Sequence, residues 1–281
     1  MVDLDEYRQR SRETWGTVAP AWKERRDWLE SNTGLVNGWL VDKIDPRPGG
    51  TYLDVAGGPG DLAFRLAERA GPDGRVLYTD FAPEMVEAAR ELGAGRDVDN
   101  VEYLVLDAER MELDDDSVDG VGCRYGYMLM ADPAAALAES RRVLRDGGPL
   151  AFAVHSTPER NPWAAVPGMT LVQRGLLPPP DPGAPGIFAL GMPERIRELV
   201  SGAGFEEPEV VELSFTYEYE GVERVWEHVT RLAGPIAKVV NARPDDEREA
   251  TMEAVLKNLE PYRDEGGSYS MPASNWAVFT R

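Results

Sequence analysis

The 281-residue chain is predicted to adopt an α/β fold, a mostly parallel sheet covered by helices on both faces. Three observations lead there. Between residues 51 and 155, short apolar runs alternate with stretches whose apolar residues recur at helical spacing, the pattern of successive β–α–β units. The first run, residues 51–55, stops at Gly57, Gly58 and Gly60 just before a helical stretch with Leu62, Ala63, Leu66, Ala67 and Ala70 on one face. An acid stands at the end of each of the first three strands: Asp54, Asp80 and Asp107. Ligands of such sheets sit beyond the carboxyl ends of the strands, where strand order reverses. A strand-end acid can be a helix cap, but three in succession point to a ligand.

Taken in order, residues 4–44 read as helical and are rich in aromatic residues, with Tyr7, Trp15, Trp22, Trp28 and Trp39. Such rings pack a helix onto a core; as a group they can also close over a flat ligand. Residues 45–50 carry two prolines and two glycines and deliver the chain to the first strand. The glycine turn lets backbone N–H groups approach a ligand closely. Asp54 in front of it repels phosphate and attracts a cation. A second strand spans 75–80 and a helix opens at Pro83, with Met85, Val86, Ala89 and Leu92 on one side. Strands at 101–106 and 118–123, a helix at 134–144 and a strand at 150–155 follow. Beyond His155 the pattern loosens. A helix is expected near 169–176, a proline- and glycine-rich loop at 178–193, a helix at 194–203 and a strand at 210–219. Two amphipathic helices (Val222, Val225, Trp226, Val229, Leu232; then Met252, Val255, Leu256, Leu259) precede a last strand at 268–280.

A net charge of −20 argues against a nucleic-acid substrate, which requires basic patches, and against an anionic membrane surface. The lone Cys123 excludes an internal disulfide and a cysteine-built metal site, and no metal is expected. No apolar run is long enough to span a bilayer, and residues 1–12 are charged throughout, so a cytoplasmic protein without membrane insertion is expected.

Asp54, Ala56, Gly57, Gly58 and Gly60 resemble the first motif of the class I S-adenosylmethionine (SAM)-dependent methyltransferases. Ala56 stands where that family more often has glycine, and its extra methyl group implies a slightly tighter turn. The segment Asp80-Phe81-Ala82-Pro83-Glu84-Met85 resembles the second-strand motif, and Asp107-Ala108-Glu109 the third. Arg142-Val143-Leu144 with Gly147-Gly148 resembles the segment before the fifth strand. Together these cover roughly residues 45–156 and are most similar to the ubiquinone/menaquinone-biosynthesis-like group of small-molecule methyltransferases. The resemblance implies a Rossmann-like, seven-stranded sheet with the last strand antiparallel, SAM as cofactor, and a single domain. Its parts would be a helical lid (1–45), a SAM-binding core (46–156) and a substrate-side region with a helical cap (157–281).

In residues, the resemblance implies that Asp54 holds the amino group of SAM against the turn of Ala56, Gly57, Gly58 and Gly60. Asp80 would take the ribose hydroxyls, Phe81 and Met85 would flank the adenine, and Asp107 with Ala108 would meet its amino group. Cys123, at the end of the fourth strand, is a further candidate on the cofactor side, although a small buried hydrophobe is its alternative role. Trp15 and Trp22 in the lid, Tyr127 after the fourth strand and Trp163 after the fifth are candidates for the acceptor site.

Methyl transfer from a sulfonium is an in-line displacement, for which the protein supplies positioning and exclusion of water. A base is needed only when the acceptor must lose a proton. His155, at the end of the fifth strand, is the candidate base, with a structural histidine as the alternative, and Tyr125 is a candidate donor beside it. The expected reaction is methylation of a small, largely apolar acceptor (a quinone, phenol or other secondary metabolite) by a monomer or homodimer. Gly58, Gly60 and Ala63 also fit the loose dinucleotide fingerprint, with Asp80 twenty residues after Gly60, so a nicotinamide-dependent oxidoreductase is the rival reading. A SAM-binding protein without turnover is a third.

Overall fold

The computed structural model describes residues 4–96, 98–181 and 184–281. The aromatic-rich N-terminal segment forms α1 (Leu4–Glu24) and α2 (Arg26–Ile44), and α2 stops at a left-handed Asp45 ahead of Pro46. Then β1 (Thr51–Asp54), α3 (Asp61–Ala70), β2 (Arg75–Asp80), α4 (Pro83–Gly93), β3 (Val101–Val105), β4 (Gly120–Arg124), α5 (Pro133–Val143) and β5 (Leu150–His155) alternate as the periodicity requires. After them come α6 (Pro162–Gln173), α7 (Pro193–Gly202), β6 (Glu209–Tyr219), α8 (Val222–Glu227), α9 (Gly234–Asn241), α10 (Asp245–Leu259) and β7 (Tyr269–Thr280).

The seven strands form one sheet in the order β3-β2-β1-β4-β5-β7-β6. The first five are parallel, and β7 is antiparallel to both β5 and β6. Strand order reverses between β1 and β4, which puts the crevice for a ligand beyond Asp54. Leu150, Phe152 and Val154 of β5 face one core, with α5 and α7, while Ala151 and Ala153 face the other, with α2 and α3. The small alanines let α2 lie across β4 and β5. The same alternation turns His155 toward the α2 side.

Two segments differ from expectation. The helix expected near 169–176 begins earlier, at Pro162, whose fixed φ suits a first helical turn, and gives way near Gly175 in the left-handed region (φ +70°). Between β6 and β7 the two expected helices are three, with a π-helical turn at His228–Leu232 after α8. Pro235 and Pro244 have no N–H to continue a helix and start new ones instead.

The glycine turn is set by its surroundings. A Cβ on Gly57 would lie 2.5 Å from the Tyr78 ring, and Gly60 caps α3 at φ +88°. Ala56 occupies the left-handed region as well, at φ +53°. That conformation costs an L-residue about 1–2 kcal/mol, which glycine escapes at the expense of about 0.5–1 kcal/mol of extra chain entropy. Ala56→Gly is therefore expected to raise the melting temperature by about 2–4 °C in a scanning calorimetry experiment; a lower melting temperature would show that the Ala56 methyl is a packing group.

Candidate active site

Asp54 is fully buried, and its carboxyl group does two things. Oδ2 accepts from Ala63 N–H (3.0 Å) in the first turn of α3, so the acid does cap a helix. Oδ1 is buried and has no hydrogen-bond partner among the described residues. Burial pushes the carboxyl up to about 8, against the pull of the Arg124 guanidinium and the Ala63 N–H. Asp61, the first residue of α3, is also fully buried, with Arg26 Nε at 2.5 Å and Arg124 3.7 Å from its second oxygen.

Asp80 accepts from Ala82 N–H (3.0 Å) and, across the turn, from Gly58 N–H (3.2 Å). Burial pushes it up to about 6. Asp107 accepts from Glu109 N–H (2.9 Å) and lies exposed at the mouth of a cleft of about 370 Å³. Phe81, Asp107, Leu106 and, from α1, Arg8 and Arg12 line this cleft. Each strand-end acid thus caps the chain that follows with one oxygen and keeps acceptor capacity for something else. A wider cleft of about 590 Å³, lined by Arg75, Asn100 and Glu102 among others, opens at the opposite ends of the strands, away from the acids.

Several of the expected residues lie in the packed interior. Met85 is buried among Ala19 and Ala82 because α1 packs directly on α4, so it backs Phe81 and does not face the cleft. The Ala108 methyl and the Cys123 thiol both point into the core on the α5 side; desolvation pushes Cys123 up to about 12, leaving a small hydrophobe. Tyr127 is likewise sealed there, its hydroxyl 2.7 Å from Ser140 Oγ and its ring edge-on to Phe152. β4 ends at Arg124, and a short 3-10 turn at Tyr127–Leu129 sends Tyr127 to the face opposite Tyr125.

Trp15 and Trp22 pack edge-to-face at 5.5 Å against Phe81. A Cβ on Gly58 would meet Trp22 at 3.9 Å. They lie over the glycine turn and beside Phe81. Trp22 Nε1 also donates to Leu232 O (3.0 Å) in the π-helical turn, and Arg25 pairs with Glu227, so the lid is tied to the insertion.

A second group of rings lies beyond the ends of β4, β5 and β6. Trp163 contacts Tyr217 (4.8 Å), His155 (5.1 Å) and His228 (5.4 Å). Trp28 stacks on Tyr217 (5.7 Å, 26°), and the Tyr219 hydroxyl meets His228 Nδ1 at 2.9 Å. Tyr217 and Tyr219 were not singled out in the sequence, Trp28 appeared there only as one of the N-terminal aromatic group, and His228 reads there as a surface or packing residue beside the apolar face of its helix. The spacing of Phe215, Tyr217 and Tyr219 at every second position of a strand carried the signal, since it puts three rings on one face. Tyr125 stacks on His155 (4.3 Å, 21°), and its hydroxyl is buried without a partner. Burial lowers His155 to about 4, with Asn275 pulling the other way and Arg124 adding to the fall. His228 falls to about 4 by burial alone.

Residues 36–166 match the ubiE/COQ5 methyltransferase family. The chain is 30% identical over 218 residues to the demethylmenaquinone methyltransferase of Deinococcus radiodurans, covering 72% of this chain and 88% of that one. It is 41% identical over 112 residues to the ubiquinone/menaquinone biosynthesis C-methyltransferase UbiE of Paracoccus denitrificans; this match covers 40% of the chain and spans only 44% of the relative. In fold it is similar to the YcgJ protein from Bacillus subtilis, with a TM-score of 0.61 at 19% identity over 88% of this chain and 97% of that one. A match that runs over most of both chains, on a sheet of this order with this turn, settles the family and sets the nicotinamide reading aside. The chain belongs to the ubiE/COQ5 methyltransferase family, within the class I SAM-dependent methyltransferases.

Proposed function

We propose that this protein transfers the methyl group of SAM to a small, largely apolar, planar acceptor, a quinone or a phenol. The observation that carries the reading is the wall of rings (Trp28, Tyr125, Trp163, Tyr217, Tyr219) beyond the strands whose turn and acids suit SAM. The cofactor, when bound, supplies an activated methyl group on a sulfonium. Its fit rests on Asp54 Oδ1, a buried acceptor with no donor, which an ammonium would satisfy. Asp80 would take the ribose hydroxyls, and Phe81 and Asp107 would hold the adenine in the cleft under α1. The named activities of the relatives on quinone precursors agree with an aromatic acceptor.

The electrostatics of the chamber point the same way. Among the described residues, the ionised group acting on Tyr125, His155 and Tyr217 is Arg124, a cation, and no carboxylate acts on them. An ammonium acceptor would face a positive charge with no partner; an acceptor that becomes anionic would be stabilised. His155 would then take the acceptor's proton. The anion left behind raises the imidazole's affinity for that proton, and the rings exclude water while it moves.

The direct test is incubation with isotope-labelled SAM and sets of hydroquinones, phenols and amines, followed by mass spectrometry. Label in the phenolic set is expected; label confined to amines would overturn the acceptor, and tight SAM binding without any labelled product would leave a binding protein. Three further outcomes follow from the residues. Tyr217→Ala should raise KM for the acceptor about tenfold or more through the lost ring contact while leaving the Kd for SAM unchanged. Asp54 sits well above its ordinary range, so near neutrality it holds its proton, which an arriving ammonium favours losing. Calorimetry at about pH 6.5, where an α-amino group is still charged, should therefore show close to one proton released per SAM bound and affinity that improves as pH rises. Proton-neutral binding would remove Asp54 from the cofactor contacts. For His155, neutrality above about pH 5 means that its titration leaves no step in kcat near pH 6–7, while His155→Ala lowers kcat about 10²-fold at unchanged SAM affinity. A His155→Ala protein with wild-type turnover would make it a structural residue.

A further inference from the structure

We propose that Asn275 is a positioning residue that fixes the tautomer of His155, leaving Nε2 as the proton acceptor toward the aromatic chamber. The inference rests on the reading of His155 as the base, and the geometry goes beyond it. Asn275 lies on β7 directly across from His155 on β5 and is fully buried. Its Nδ2 donates to Leu213 O (3.2 Å) on β6, which commits the amide orientation: the NH₂ group faces β6 and Oδ1 faces the imidazole. That oxygen stands 2.8 Å from His155 Nδ1. An amide oxygen only accepts, so Nδ1 must carry the hydrogen, and the lone pair of the neutral ring is on Nε2. Among the described residues no protein group hydrogen-bonds Nε2. The ring plane is set by stacking on Tyr125 and edge contact with Trp163, and the His155 backbone N–H is held by Met128 Sδ (3.4 Å).

Asparagine also decides how basic the imidazole is. The groups facing His155 are Arg124 and Tyr125 from β4, Trp163 from α6 and Asn275 from β7; Tyr217 of β6 and His228 of the π-helical turn stand behind Trp163. The one ionised member of that set is Arg124, itself turned toward Asp61 and Thr33. A carboxylate in place of the neutral amide would stabilise imidazolium and hold the proton there. The amide orients the ring while favouring imidazolium less than a full negative charge would, and the buried ring stays neutral and ready to accept.

Two measurements test this. The chain has two histidines, so ¹⁵N-histidine labelling gives two sets of ring signals, assigned by the loss of one in His155→Gln. In the intact protein near neutral pH, His155 is expected as the neutral tautomer with hydrogen on Nδ1. A hydrogen on Nε2, or a charged ring, overturns the proposal whether or not any variant folds. In turnover, Asn275→Leu is expected to lower kcat about tenfold or more with KM and SAM affinity nearly unchanged. Asn275→Asp should retain the tautomer, raise the His155 titration, and create an acidic limb in kcat against pH that the wild type lacks. A residue that merely fills space would lower melting temperature in both variants and leave the pH profile in place, which would sink the positioning role. If the tautomer is as expected but His155→Gln turns over normally, the tautomer assignment stands and the reading of His155 as base falls.

Discussion

The fully buried Asp54 carboxyl is the constraint around which the site is built. One oxygen ties the end of β1 to the start of α3 through Ala63 N–H, which fixes how sharply the chain turns at Gly57 to Gly60. The other is buried with no donor among the described residues. An unsatisfied buried acceptor of this kind costs about 1–3 kcal/mol, and the free protein relieves part of that by holding a proton, as the raised carboxyl shows. In the function proposed above, the ammonium of SAM would supply the missing donor. Asp80 meets the same turn from the neighbouring strand by accepting from Gly58 N–H, so two acids from adjacent strands brace one loop.

The cover over this turn is made from both ends of the chain. α1 brings Trp15 and Trp22 over the glycines, and the insertion between β6 and β7 grips α1 through Trp22 to Leu232 O and the Arg25–Glu227 pair. The π-helical turn that receives Trp22 also presents His228 to the aromatic chamber. One short element thus touches both Trp22 over the glycine turn and the rings around Trp163. In the function proposed above, closing over SAM and shaping the acceptor's space would be coupled through His228–Leu232, a role suited to an irregular turn.

What could be read in the sequence follows from how local each signal is. The strand ends at Asp54, Asp80 and His155 were legible because an apolar run, a turn residue and a helical repeat sit next to one another. The glycine turn was legible for the same reason. The aromatic chamber was not, because its rings come from α2, α6, β6 and the π-helical turn, and only the sheet's crossing connections bring Trp28 against Tyr217. Tyr125 and Tyr127 show the limit most plainly. A two-residue spacing places side chains on one face only while the strand continues, and β4 has already ended at Arg124, so one ring joins the aromatic cluster around His155 and the other is core on the α5 side. Trp22 and Trp28 divide in the same way, at the break between α1 and α2.

Tyr125 carries one more argument for a working chamber over simple packing. Its backbone is in the left-handed region at φ +63°, which is uncommon for a bulky side chain and costs roughly 1–3 kcal/mol. Tyr125 N–H donates to Ala153 O (2.8 Å), and a Cβ added on the next residue, Gly126, would lie 2.6 Å from Cys123 Sγ and 2.8 Å from Ala56 Cβ. A tyrosine placed for packing alone would gain nothing from that strain, and would be expected to pair its hydroxyl, as Tyr127 does with Ser140. Instead the strained residue presents an unpaired hydroxyl and a ring stacked on His155. Ala56, the other strained non-glycine residue here, lies against the same Gly126, on the cofactor side. The two strained positions therefore meet at Gly126, where the glycine turn adjoins the aromatic cluster, the two places that the proposed function assigns to SAM and to the acceptor.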